Sequence, residues 1–167
     1  MGSFHIANPN IRGHWGRYLA QSVLAVFAML VVLLFIDSVA NAALVAGLGS
    51  TVVTAFLHPQ ASSGRLRAII GGHSCGLIVG SILALVFINY ELVIITFAYG
   101  DILVMAGAVG LTILAMGLTD TEHPPAAGIA LGMAGRPWEL NIFVYILIAV
   151  LILGIIRFIF NKLIKEI

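Results

Sequence analysis

"TDTEHPPAAGIALG", Thr119 to Gly132, is the stretch that decides how the chain is organised. Two acids, a histidine and a proline pair stand here between long apolar segments, in a chain with only 9% charged residues. Proline has no N–H and a fixed φ, so Pro124 and Pro125 fit the start of a helix. That helix, over Ala126 to Met133, is too short for an ordinary membrane crossing. Whether the piece turns back or passes through sets the topology of everything around it.

The surroundings settle the class. Of 167 residues, 61% are hydrophobic, and the mean hydropathy is +1.13, outside the range of soluble domains. The chain reads as a single transmembrane domain, 1–167. A net charge of +1 offers no basic surface for phosphates, which excludes nucleic acid as a partner. The single cysteine, Cys75, lies in an apolar run and reads as a small packing residue. The N-terminal "MGSFHIANPNIRGHWGRY" lacks the pattern of a cleaved signal and leads into a hydrophobic run that stays as a helix.

Lipid offers nothing to pair with an open backbone, so crossings are helices of about twenty apolar residues. Five segments qualify: Tyr18 to Ile36, Ser38 to Leu57, Leu66 to Asn89, one within Leu92 to Leu118, and Pro137 to Phe160. The fourth is long enough for one tilted helix, or a short piece and a helix. Pro137 and Glu139 suit the first turn of the fifth segment, and Trp15 and Trp138 read as interfacial anchors. The expected fold is therefore an all-α polytopic transmembrane bundle of about five spanning helices. A short helix or re-entrant segment follows the His-Pro-Pro motif.

Five crossings put the termini on opposite sides. Arg12, Arg17, Arg65, Arg67 and Arg136 then share the N-terminal face, and Arg157, Lys162 and Lys165 the other, which favours a cytoplasmic N-terminus. The basic C-terminus argues for the alternative, in which Glu122 to Gly135 makes a sixth, shorter crossing. Segments two and four end alike, in "FLHPQA" and "TEHPPA", a His-Pro-x-Ala element repeated in parallel.

A short helix beginning at membrane depth presents unpaired N–H groups and a positive dipole end, where a small anion can bind. His123, just before it, can donate to the same anion; its alternative role is an N-terminal cap. Asp120 and Glu122 repel an anion, so their expected work is to cap that helix or to hold His123 or Arg136. "DTEH" lacks the i, i+4 spacing of helical metal ligands and has no completing cluster, so neither a metal nor a cofactor is expected.

The second concentration is "HPQASSGRLRAIIGGHSCGLIVG", His58 to Gly80. Arg65 reads as a topology marker, and Arg67 as a charge that gathers anions at a pathway mouth. His73, among Gly71, Gly72, Ser74 and Gly76, must face protein or water. Gly72, Gly76 and Gly80, like Gly128 and Gly132, have the spacing of close helix contacts. Asp37 ends one helix and starts the next. Asp101 caps a helix after Gly100, or is buried if segment four is continuous.

"DTEHPPAAG" and "RAIIGGH" together resemble the HPP family of small integral membrane proteins, over most of the chain. Leu66 departs from the proline common there. The resemblance implies a multi-helix membrane protein and, for members with an assigned role, nitrite transport. It implies function at His123, Pro124 and Pro125, and at Arg67, Gly71, Gly72 and His73.

The expected function is a channel or carrier, passive or proton-linked, for a small monovalent inorganic anion such as nitrite. His123, Pro124, Pro125, His73, Arg67 and Gly72 form the substrate site, with Asp120 and Glu122 in support. The expected setting is the lipid bilayer, as a homo-oligomer in the plasma membrane of a prokaryote. Alternatives are a non-catalytic membrane subunit and an intramembrane enzyme using His123 or His73 as base; the enzyme lacks a nucleophile or metal set.

Overall fold

A computed structural model describes residues 15–35, 41–89 and 100–164. The expectations for Arg12, Asp37, Lys165, the side chain of Trp15 and the residues Leu92 to Tyr99 lie outside that description. The described residues form an all-α bundle: α1 (Trp15–Phe35), α2 (Ala42–Leu57), α3 (Leu66–Leu83), α4 (Gly100–Thr119), α5 (Pro125–Ala134) and α6 (Leu140–Ile159). A 3₁₀ turn at Ser62–Gly64 precedes α3, and π-helical turns at Ala84–Asn89 extend it. Three helical stretches, Leu66–Asn89, Gly100–Thr119 and Leu140–Ile159, are long and apolar enough to cross a membrane.

The short helix expected after the proline pair is present, and it is the centre of the fold. Its ten residues are apolar on all sides, the pattern of a helix surrounded by protein. It packs against α3, α2 and α4. Glycines make the approach possible. A Cβ on Gly76 would run into the Ala126 carbonyl, and one on Gly80 would lie 2.7 Å from the Ala130 carbonyl oxygen. On the other flank, Gly47 of α2 meets Pro125 and Ile129, and a Cβ on Gly128 would sit 3.3 Å from the Gly47 Cα. The glycine spacings of the sequence are helix contacts, as expected.

Long-range hydrogen bonds identify the two ends of the bundle. At one end Gln21 of α1 donates to Phe56 O of α2 at 2.6 Å, and Arg67 of α3 donates to Thr119 O of α4 at 3.1 Å. Arg157 of α6 donates to Pro59 O at 3.3 Å at this same end. At the other end Asn41, which caps α2 by accepting from the amides of Ala43 and Leu44, also donates to Gly132 O of α5 at 3.4 Å. There too the Trp138 amide donates to Asn89 Oδ1 at 2.8 Å. The six helices therefore alternate in direction, and the start of α1 and the end of α6 meet at one end.

The expected bundle with a short helix after the His-Pro-Pro motif is present, and its ends follow the alternative, with the start of α1 and the end of α6 together. At about 15 Å, α5 is half the hydrocarbon thickness, and its glycine contacts hold it along α2 and α3, so it runs from the end of the bundle where α4 stops toward the end where α6 starts. Arg17, Arg65, Arg67, Arg157 and Lys162 consequently share one end, with Arg136 at the other, and the objection from the basic C-terminus disappears. Two smaller expectations also change. α6 starts at Leu140 with Glu139 as its cap residue, so Pro137 lies ahead of the helix, and Glu139 pairs with Arg136 at 2.9 Å. Asp101 lies exposed in the first turn of α4, so its burial in a continuous fourth helix does not occur.

Candidate functional site

The site is built where α4 stops. The Thr121 amide donates to Met116 O at 3.0 Å and the Asp120 amide to Gly117 O at 3.4 Å, closing the helix in a Schellman arrangement. Such a closure needs one left-handed residue, and Asp120 takes it with φ 52°. Aspartate tolerates that conformation better than most side chains. The reversal turns Thr121 and His123 inward. Gly71 and Gly72 of α3 leave the room: a Cβ on Gly72 would lie 2.6 Å from His123 Cβ, and one on Gly71 would run into Thr121.

His123 is thus fully buried, and so are His73 on α3 and Thr51 on α2. Thr51 Oγ1 lies 2.7 Å from His73 Nε2 and 3.1 Å from His123 Nε2, so one hydroxyl joins two imidazoles from different parts of the chain. The rings stand edge to face, centroids 4.9 Å apart. The remaining nitrogen of His123, Nδ1, is 2.8 Å from Ser63 O in the loop between α2 and α3. A carbonyl only accepts, so Nδ1 carries the proton. His73 Nδ1 is buried without a partner in the structure. Thr51 Oγ1 is also 2.9 Å from Gly47 O, one turn back on its own helix.

Of the residues expected at a substrate site, His123, His73 and Gly72 come together, and Pro124 and Pro125 start α5 beside them. Arg67 does not reach the histidines. It is exposed at the rim, 3.2 Å from Asp120 and bonded to Thr119 O, so it fastens the end of α4 to the start of α3. Asp120 accordingly closes α4 and pairs with Arg67; it neither caps α5 nor holds His123 or Arg136. Glu122 is exposed and does not pair with His123 or Arg136.

The helix-start amides also differ from expectation. Two of the first positions are prolines, the Ala126 amide donates to His123 O at 2.9 Å, and the Ala127 amide donates to Pro124 O at 3.1 Å. Donors that the sequence pattern leaves open are therefore engaged within the turn. Cys75 lies beside the hydroxyls of Thr119 and Thr121, at 3.7 Å and 4.0 Å.

Sequence reasoning missed Thr51 and Arg157. A threonine in a helix commonly bonds its own preceding turn, as Thr51 does to Gly47, so nothing local marks it. Arg157 carried a signal, an arginine inside an otherwise apolar helix, but was read only for topology. It is 6% exposed, and it bonds Asn161 at 2.9 Å as well as Pro59 O. It thereby fixes the loop that carries Ser63.

Outside the buried cluster, Ser62, Arg65, Arg67, Ala68, Asp120 and Glu122 line a charged pocket of about 90 Å³. A larger, mostly apolar pocket of about 370 Å³ is lined by Ile113, Met116, Glu122, His123, Pro124 and Ala127. Glu122 borders both.

The sequence model of the family described as "HPP, transmembrane region" matches residues 11–167. The chain belongs to the HPP family. No curated protein and no solved structure matches it. HPP membership and the apolar helices make this an integral, multi-pass membrane protein. In this HPP protein the histidine of the motif supplies the buried imidazole, and its prolines begin the central helix while using up no amide that the turn needs.

Proposed function

We propose that this HPP protein is a transporter, carrier or channel, for a small monovalent anion, with nitrite as the substrate. The observation that supports the reading is the buried His73–Thr51–His123 cluster in an apolar bundle, next to a rim carrying Arg65 and Arg67. Polar groups that can ionise are costly at membrane depth and are kept there for transport more readily than for packing. The rim arginines raise the local anion concentration. The imidazoles then replace part of the water that an anion loses on entering, by exchanging Thr51 or Ser63 O for the substrate.

The excess of Arg and Lys at the rim end supports a cytoplasmic position for that end, and the reading sets the protein in the plasma membrane of a prokaryote. Exposed small-residue faces such as Gly107, Gly110 and Gly117 of α4 fit association with further copies of the chain. The reading assigns the protein no catalysed reaction.

The test is nitrite flux by purified protein in liposomes, with protein-free liposomes subtracted. Flux above that background, lost in His73→Ala and His123→Ala while both variants remain folded, is the expected result. Native protein that is folded yet carries no nitrite overturns the reading and favours a non-catalytic membrane subunit.

A further inference from the structure

We propose that His123, Thr51 and His73 form a proton relay, through which each anion moves together with a proton; this rests on the transport reading above. It narrows the substrate to the anion of a weak acid, whose protonated form can exchange a proton with the protein.

The polarity of the chain follows from what each atom can do. Ser63 O accepts from His123 Nδ1–H, so a neutral His123 is bare at Nε2. The one hydroxyl proton of Thr51 has two acceptors beside it, Gly47 O at 2.9 Å and His123 Nε2 at 3.1 Å; turned to the nitrogen it donates to His123, while the Thr51 lone pair accepts from His73 Nε2–H at 2.7 Å. His73 is left bare at Nδ1, buried and without a partner, which is an acceptor awaiting a donor. Each link satisfies the next, and the sequence of atoms runs from the interior of the bundle to the rim loop.

The elements packed around the cluster supply no competing charge. Thr51 is its only contribution from α2, and α5 brings no charged residue. The charged groups on neighbouring elements are Arg65, Arg67, Asp120 and Glu122 at the rim and Arg157 of α6, which reaches Pro59 O. Among the described residues no carboxylate is within ion-pairing distance of either imidazole, since Asp120 pairs with Arg67 and Glu139 with Arg136.

Transfer is a shift of N–H and O–H bonds alone. A proton arriving on His73 Nδ1 makes an imidazolium, which releases its Nε2 proton to Thr51 Oγ1. Thr51 passes its own hydroxyl proton to His123 Nε2. His123 releases its Nδ1 proton to a weak-acid anion that takes the place of Ser63 O from the pocket His123 lines, and the anion leaves as its acid. One proton has entered and one has left, and both rings have changed tautomer. The chain now points the other way, with Thr51 donating to His73. A second proton cannot follow until the rings or the bundle reorganise, so the relay couples to a transport cycle instead of leaking. The Gly47 carbonyl competes with His123 Nε2 for the single Thr51 hydroxyl proton, so the relay conducts only when the hydroxyl turns to the nitrogen.

The experiment uses the full chain in liposomes loaded with a pH dye, an imposed gradient of sodium nitrite, and subtraction of protein-free liposomes. Native protein should take up a proton with each nitrite, at a rate that a potassium–valinomycin voltage clamp does not change. Thr51→Val, close in shape but without the hydroxyl, should lose the proton from that ratio, and Thr51→Ser should keep it. Voltage-dependent nitrite influx without protons in the native protein, or a native ratio in Thr51→Val, overturns the relay while leaving the transport reading intact. A second measurement does not need transport: ¹⁵N shifts of the histidines in detergent, assigned with His73→Gln and His123→Gln. Protonation at Nδ1 of His123 and Nε2 of His73 is expected, and the opposite pair of tautomers refutes the relay.

Discussion

The chain contains the same four-residue pattern twice, His58-Pro59-Gln60-Ala61 after α2 and His123-Pro124-Pro125-Ala126 after α4. The first histidine is exposed where α2 ends; the second is completely buried. Local sequence does not separate them, but what lies underneath does. The first element opens the eight-residue connection between α2 and α3, which continues in the 3₁₀ turn at Ser62–Gly64. The second follows a left-handed closure at Asp120 and falls onto Gly71, Gly72 and Gly76, where nothing but a glycine would leave space. The two are also joined, since Ser63 O of the first region holds His123 of the second.

The strongest way to break the contrast is to fill that space. Gly72→Leu or Gly76→Leu should expel the second element from α3, beyond the roughly 1–3 kcal/mol of ordinary overpacking, because the obstacles are backbone and a Cβ. Loss of a cooperative thermal transition in detergent is expected, and native stability would mean that α5 does not lie on this face. A smaller loss, about 2 kcal/mol or more, is expected for His123→Ala, which removes buried volume and the links to Thr51 and Ser63. His58→Ala, at an exposed position, should cost less than His123→Ala, so equal melting shifts for the two variants would erase the difference between the regions.

The closure at Asp120 sharpens the comparison further. Asp120→Val should cost about 1–2 kcal/mol through its left-handed φ, in addition to the exposed Arg67 pair. Asp120→Asn, which tolerates the same φ, should lose only the pair, about 1 kcal/mol or less, and high salt should hide it. At the small end is Gly107→Ala on the outer face of α4, where a Cβ would meet nothing. It should be neutral or stabilising by up to about 1 kcal/mol, unless a second copy of the chain occupies that face.

Topology offers an independent check on how the bundle sits in the membrane. Reporters placed before α1 and after Ile167 should respond to the same side of the membrane, and opposite sides would restore the five-crossing arrangement.

What the residues determined unaided was the part that depends on short-range physics. Apolar length placed α1, α2, α3 and α6 within a few residues, because lipid allows no other way to pair a backbone. The proline pair fixed the start of α5, since φ and the missing N–H act on their own turn. Glycine spacing marked the faces of close contact, and the rarity of ionisable groups pointed to His73 and His123. The direction of α5 was decided only in three dimensions, because a ten-residue helix can turn back or pass through equally well until its neighbours hold it. Thr51 entered the site for the same reason: its hydroxyl bonds its own helix like any threonine, and only the packing of α2 against α3 and α5 brings two imidazoles to it. The uses of Arg67 and Asp120 also came from tertiary contact. A charge says that it needs a partner or water, and the fold alone says which it has.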